Sequence, residues 1–438
     1  MKNRKLNFFF FLSLLLLPVF VQAQTGRSLN RVKVKVEAAG VARQNTIASF
    51  DISSYAAVPA GSQITVKTES GQICQSQTER CPETRKATLY WRIDGLMAEN
   101  ESRNFVFEIV AAPQAKPAMA IDNDRFGNII LKQNDKNVLQ YNTAPPRLPG
   151  GVDPDFRRNG FIHPAWSPAG NVLTNINPTD HWHHYGLWNP WTSIEYDGKP
   201  YDLWNLGGKM GTVRYDSLYR TAAGNLYADI LVRHRHVIFE PQPEQTTNHV
   251  WGVMRFTPKI EKIIMDELQN IRIWHVENGA FYWDLNFSLY PSTCLPVILK
   301  EYRYAGLGWR ANADFTRENC QMMTSEGKTR QQIDGTTARW IYAMGRLQGG
   351  TSGMMMMCSP QNHNFPEPLR IWDENANGGR GDVFINIAPS KFEDWILEPG
   401  KRYDFRYRMF VFDGEITPEK AEAIWKDYAN PVRVSVTR

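Results

Sequence analysis

Four of the nine histidines, His163, His181, His183 and His184, stand close together in the chain, and five of the fourteen tryptophans, Trp166, Trp182, Trp188, Trp191 and Trp204, crowd around them. The centre of this stretch reads Asn177-Pro-Thr-Asp-His-Trp-His-His-Tyr-Gly-Leu-Trp-Asn-Pro-Trp191. Imidazole is the side chain whose ordinary pKa lies near neutrality, so neighbouring histidines can divide general acid and general base work. That assigns His183 and His184 as acid and base, with Asp180 as the carboxylate that orients a ring. On an extended backbone His181 and His183 share a face and His184 points the other way. The flat faces of Trp188 and Trp204 suit the C–H faces of a sugar ring, and His163 is placed to line the same site. His181, His183 and His184 are also suitable donors for a divalent metal. No Gly-x-Ser-x-Gly elbow, phosphate-binding loop or dinucleotide fingerprint is present, so nothing calls for an organic cofactor.

A second stretch, Ser359-Pro-Gln-Asn-His-Asn-Phe-Pro-Glu-Pro-Leu-Arg-Ile-Trp-Asp-Glu374, sets Asn362, His363 and Arg370 among prolines as binding loops often do. These three are expected to contact substrate. The pair His234 and His236 shares a strand face and is expected on a wet sheet surface.

The elements that must position these groups are strands. Val32-Lys-Val-Lys-Val36, Ala87-Thr-Leu-Tyr-Trp91 and Asn104-Phe-Val-Phe-Glu-Ile109 alternate apolar and polar residues, which predicts a small β-sandwich-like domain over 28–112. A Pro/Ala linker follows at 113–120. Beyond it, Asn128–Lys132, Tyr227–Arg233, Tyr282–Phe287 and Tyr403–Phe412 alternate in the same way, which predicts a large antiparallel sandwich or barrel over 121–415. Thr417-Pro-Glu419 is a helix start, so 416–438 reads as one helix and a tail. Met354–Met357 reads as a buried strand. The fold class is all-β.

Composition narrows the function classes. The chain has 438 residues, is 42% hydrophobic and 22% charged, and carries a net charge of +5 spread without Lys/Arg runs. Nucleic acid is therefore not an expected partner. Lys2, Arg4 and Lys5 before an apolar run to Val21 read as a secretory signal peptide over 1–23, cut near Ala23, so the mature protein is expected to be secreted or periplasmic, with no membrane insertion after cleavage. Export permits disulfides, and Cys74 and Cys81 in one polar loop are the expected pair. The remaining cysteines, Cys294, Cys320 and Cys358, read as buried thiols. The oligomeric state is not legible.

Several motifs in order, His163-Pro-Ala-Trp-Ser-Pro-Ala-Gly-Asn-Val-Leu173, Asp180-His-Trp-His-His-Tyr-Gly-Leu-Trp188, Tyr304-Ala-Gly-Leu-Gly-Trp-Arg310, Ala388-Pro-Ser-Lys391, Leu397-Glu-Pro-Gly400 and Arg406-Tyr-Arg-Met-Phe-Val-Phe-Asp-Gly414, resemble the bacterial family DUF6807, often labelled methane oxygenase PmoA-like. The likeness covers about residues 121 to 415. The oxygenase label does not carry over, because a membrane oxygenase subunit needs several transmembrane helices and nothing after the signal peptide reads as one. The resemblance implies an exported protein of glycan-degrading bacteria and a β-supersandwich similar to galactose mutarotases and some polysaccharide lyases, in which histidines and a carboxylate act on a sugar. Trp182 and Tyr185 stand where the family motif has Pro and Arg, which removes whatever contact that Arg makes to an anionic substrate group.

The expectation is thus an exported carbohydrate-active enzyme using imidazole acid/base chemistry for hydrolysis, elimination or epimerisation. A non-catalytic glycan-binding protein and a metal-dependent hydrolase or oxygenase are the alternatives.

Overall fold

The computed structural model describes residues 27–437 except 56, 82–85, 112–115, 243–244, 250–251, 257–258 and 277–278. The signal peptide expected over 1–23 and the first part of the 113–120 linker lie outside the described residues.

Alternation builds the first domain. In the strand Val32–Glu37, Val34 and Val36 point inward and are fully buried while the lysines between them face out. A five-stranded sheet in the order Arg433–Thr437, Val32–Glu37, Ser102–Ala111, Ser62–Thr68, Ile73–Cys74 accompanies a three-stranded sheet of Arg43–Asp51, Lys86–Met97 and Ser76–Cys81. Val34, Val66, Leu89, Trp91, Phe105 and Phe107 form one apolar core. The disulfide expected between Cys74 and Cys81 is not formed. Cys74 ends a short strand of the first sheet with its thiol in the core, whereas Cys81 ends the six-residue strand Ser76–Cys81 of the second. That strand spans roughly 20 Å at about 3.3 Å per residue, far beyond the reach of one bridge.

The C-terminal segment, expected as helix and tail, does more than end the chain. Thr417 caps the helix Pro418–Ala429 by accepting from the Lys420 amide, and the strand Arg433–Thr437 then pairs antiparallel with Val32–Glu37. Arg43, 2% exposed, sits in this junction. It donates to Asp427 Oδ1 (2.6 Å), to the carbonyl of Ala38 (2.8 Å) and to that of Asn430 (2.5 Å). Asp427→Ala would leave the guanidinium buried and partly unpaired, so we expect a loss of about 3 kcal/mol in unfolding free energy, read from the denaturant midpoint. A second tie joins the two domains: Arg272 and Arg220 each reach both Asp229 in the large domain and Glu79 in the small one, at 2.5–3.0 Å.

The large domain is two big antiparallel sheets sharing one core. The first has nine strands in the order Thr337–Ala338, Glu367–Ile371, Phe384–Ile387, Gly308–Arg310, Leu187–Trp188, Phe161–Ala165, Lys136–Asn142, Ile129–Gln133, Met119–Asn123. The second has eight: Gly211–Ala223, Tyr227–Pro241, Lys259–Trp274, Ala280–Pro291, Tyr403–Asp413, Gly350–Cys358, Trp340–Leu347, Cys320–Thr324. Leu131, Leu139, Ile162 and Ile385 from the first meet Ile230, Trp283, Met356 and Met409 from the second, all essentially fully buried. This is the expected all-β architecture of stacked sheets. Among the described residues no helix is long and apolar enough to cross a membrane.

His234 and His236 are not on a wet surface. Both are buried and flank Glu267, itself 0% exposed: His234 Nδ1 lies 3.0 Å from Oε1 and His236 Nε2 3.1 Å from Oε2. Asn189 donates to Oε2 as well (3.0 Å). The strand Tyr227–Pro241 has a neighbour on each side in its sheet, and the face these histidines share turns into the core.

Candidate functional site

The histidine segment is a run of turns, not a strand. His181 N donates to the Pro178 carbonyl (2.9 Å), His184 N to the His181 carbonyl (3.0 Å), and Asn177 N to the His184 carbonyl (2.8 Å). Folded this way, the three rings gather: centroids lie 4.7 Å apart for His181 and His184, 4.8 Å for His183 and His184, and 5.4 Å for His181 and His183. Gly186 makes the exit possible. Its φ is +60°, and a Cβ there would stand 2.3 Å from the Ile162 carbonyl oxygen, so only glycine passes across the strand Phe161–Ala165.

Sheet register brings the rest. Arg310 pairs with Phe384, and Leu187 with Trp309, so the ends of three central strands of the nine-stranded sheet converge beneath the histidine turns. Arg310, 2% exposed, donates from Nη2 to Asp180 Oδ2 (3.1 Å) and to Asp382 Oδ2 (3.0 Å), and its guanidinium lies 4.8 Å from the Trp372 ring. Asn377 donates to Asp180 (2.8 Å) and also bonds Asp382. Burial works against ionisation of Asp180, but the hydrogen bond from His181, the charge of Arg310 and the amide of Asn377 together hold its carboxyl below the usual range.

The orienting role expected of Asp180 falls on His181. Asp180 Oδ2 accepts from His181 Nδ1 at 2.7 Å, which leaves the lone pair on Nε2. Both side chains are about one-third exposed, at 31% for His181 and 28% for Asp180. His183 is half-buried; burial first, then the nearby His181, pushes its pKa down to about 4. His184 is buried between Phe384 (4.9 Å) and Trp188 (5.3 Å), its Nδ1 has no hydrogen-bond partner among the described residues, and burial pushes it well below the ordinary value. His163 bonds Thr174 Oγ1 through Nδ1 (2.9 Å) and is lowered to about 4 by burial.

His163, His183 and His184 are neutral in the fold and protonate in the unfolded chain near pH 6.5. The unfolded state therefore gains protons first as pH drops, and the stability that His163 and His183 contribute is expected to be lost from about pH 6.5 to about pH 4. Denaturant midpoints across that range check this. His183→Gln should flatten part of the slope.

Several expected contacts are corrected. Trp188 (1% exposed) and Trp204 (2%) are packed with Phe161, Tyr185 and Phe384, so neither offers a face to a sugar. Asn362 is buried and spends its amide on Glu367 (2.7 Å) and on both backbone groups of Arg406. His363 stacks on Trp395 at 4.0 Å, outside the imidazole group. Arg370 does approach the site, with its guanidinium 5.1 Å from the Tyr304 ring, and Tyr304 accepts from Trp372 Nε1 (3.1 Å). Trp372 in turn lies 4.7 Å from His181.

The three rings are close, yet among the described residues no three His, Cys, Asp or Glu side chains are grouped so as to hold a metal ion. Arg310, Asp382, Asn377 and Trp372 went unassigned in the sequence reading. The signal for two of them is the run Asn377-Gly-Gly-Arg-Gly-Asp382, whose left-handed Asn377 (φ 51°) and glycines mark a shaped loop. A separate cavity of about 430 Å³, where the small domain, the eight-stranded sheet and the C-terminal helix meet, is lined by Arg43, Trp274, Tyr282 and Phe410 and includes none of the site residues above.

Residues 128–426 match the model of a family described as a family of unknown function, DUF6807. No curated protein matches the sequence. Among solved structures the chain is similar to an α-mannosidase from Enterococcus faecalis V583, at 8% identity and a TM-score of 0.43, over 95% of this chain and 47% of that one. It is also similar to the heparan sulfate lyase HepC from Pedobacter heparinus, at 9% identity and a TM-score of 0.28, over 70% of this chain and 38% of that one. The chain spans less than half the length of either.

Proposed function

The chain belongs to the DUF6807 family, and from its site we propose that it is an exported enzyme acting on a sugar or glycan by proton transfer through imidazole. The observation that carries this reading is the Asp180–His181 pair: a carboxylate fixes Nδ1–H and leaves Nε2 as a base on a side chain that solvent reaches. His183 beside it is kept neutral by burial and so holds one ring proton it can share. Arg310 anchors Asp180 from below, which keeps the base in one orientation. Trp182 and Tyr304, both half-buried, are aromatic faces near the rings for a sugar to lie against.

Proton removal by His181 from a hydroxyl, a water or an acidic C–H would serve hydrolysis, elimination or epimerisation alike. No organic cofactor enters, and no step uses a metal. Export rests on the N-terminal segment Met1–Ala23.

The test is a panel of oligosaccharides incubated with the mature chain, read for binding and for change in mass. Conversion lost in His181→Ala supports the reading. Binding without conversion, unaffected by His181→Ala, favours a glycan-binding protein instead. Near one transition-metal ion per chain, lost on replacing His181, His183 and His184 together, would move the assignment to a metal-dependent hydrolase or oxygenase.

A further inference from the structure

Beside the histidines lies a group of cations without enough anions. Tyr302 N donates to the Ser390 carbonyl (3.1 Å), which sets the segment around Arg303 and Tyr304 next to that of Lys391. Gly306 allows this close approach: its φ is +67°, and a Cβ there would stand 3.0 Å from both the Ile387 oxygen and the Pro389 ring. Arg303 and Arg370 lie over the Tyr304 ring, at 5.3 and 5.1 Å.

Lys391 is the least satisfied of the three. Its side chain is only 9% exposed, and its nearest carboxylate, Asp334, is 3.9 Å away, beyond hydrogen-bond reach. Burial lowers its pKa and the charges of Arg370 and Arg303 lower it further, against Asp334 alone. Arg370 spends Nη1 on Asp334 (2.9 Å) and on the Ile371 carbonyl, while its buried Nε has no partner among the described residues. Arg303 is exposed and has no carboxylate partner among the described residues. Three cations thus face one carboxylate, itself 45% exposed.

A part-buried charge whose carboxylate lies beyond hydrogen-bond reach is poorly compensated, and an oxyanion from outside would relieve it through charge-assisted hydrogen bonds. Two aromatic side chains flank the cations in solvent, Tyr302 at 38% and Phe392 at 53% exposure, as faces for sugar rings. Through Tyr304 and Trp372 the group is two rings removed from His181.

We propose that Arg303, Arg370 and Lys391 seat the anionic substituent of an acidic glycan, a carboxylate or a sulfate ester, and that the substrate class is acidic rather than neutral polysaccharide. This rests on the sugar reading above, and deepens it by naming the charge the substrate carries.

The test is titration calorimetry of the mature chain with three tetrasaccharides: a galacturonan (carboxylate), a κ-carrageenan fragment (sulfate) and cellotetraose (neutral). At least one acidic probe is expected to bind about tenfold tighter than cellotetraose, and to weaken with added salt. Lys391→Met and Arg303→Gln should each remove most of that margin and leave cellotetraose unchanged. Arg303 is exposed, so its variant guards against a folding defect in the other. Which acidic probe binds identifies the oxyanion. Equal binding of acidic and neutral probes, no binding of either acidic probe, or variants without effect, overturns the proposal. The same mixtures read by mass separate it from the enzyme reading. An acidic probe held through Lys391 but never converted leaves the anion site and removes the enzyme. A neutral probe converted in a His181-dependent way does the reverse.

Discussion

Replacing His181 with alanine is expected to lower the turnover of a responsive glycan by about two to four orders of magnitude, the range that a positioned general base contributes. The side chain is one-third exposed and its one hydrogen bond is to a part-exposed carboxylate that Arg310 and Asn377 hold without it, so the same variant should shift the denaturant midpoint little. That separation of activity from stability is what a positioned base predicts. Asp180→Asn should cost less activity, because the amide oxygen still accepts from Nδ1–H while the negative charge that stabilises the imidazolium is gone. His184→Ala is a different experiment. That ring is buried against Phe384 and Trp188, so its loss would combine a cavity with any chemical effect. Kinetics and unfolding curves measured on the same preparations check all three.

The second large effect is structural. Glu267→Ala is expected to lower the unfolding free energy by about 3–5 kcal/mol. Glu267 is fully buried, takes hydrogen bonds from His236 and Asn189, and has His234 Nδ1 3.0 Å from its other oxygen. Burial alone would raise its pKa, but the two histidines outweigh this and bring it down to about 2. Arg158, 3% exposed, also feels the Glu267 charge, and its Nε and Nη1 have no hydrogen-bond partner among the described residues. Burial lowers Arg158 to about 10, so it stays charged at neutral pH. Removing the carboxylate strands that charge in the core. Because the folded pKa of Glu267 lies below its unfolded value of about 4.3, its stabilisation is complete above that value and is lost as pH falls toward about 2. Glu267→Ala should therefore lower the denaturant midpoint strongly at pH 7 and flatten the loss of stability below about pH 4. Unfolding curves at pH 7 and pH 3 measure both.

The sheets were legible because a half-buried strand must alternate, and Val32–Glu37 or Ala280–Pro291 leave no other period to read. The strand Arg433–Thr437 was not, because five residues after a helix carry too little pattern to reveal a partner at Val32–Glu37, at the far end of the chain. The histidine cluster was found by residue type, but the division of roles within it was not. Period-two reasoning assumed an extended backbone, whereas the turns through Pro178 and His181 put all three rings together and give Asp180 to His181. Tryptophan is ambiguous in sequence, since the same indole fills a core or faces a ligand, and Trp188 and Trp204 took the first course. The pairing of Arg310 with Asp180 and Asp382 depends on the register of strands more than a hundred residues apart from the histidine turns, which no local spacing encodes.

The measurement that tests the central claim most directly is a side-by-side incubation of wild-type and His181→Ala protein with the oligosaccharide panel, read by mass for fragments and, in deuterated water, for hydrogen exchanged at carbon. The account predicts at least one glycan fragmented or exchanged by the wild type and left intact by the variant. Equal conversion by both proteins would contradict it, because the proton would then be moving through some group other than the imidazole that Asp180 holds.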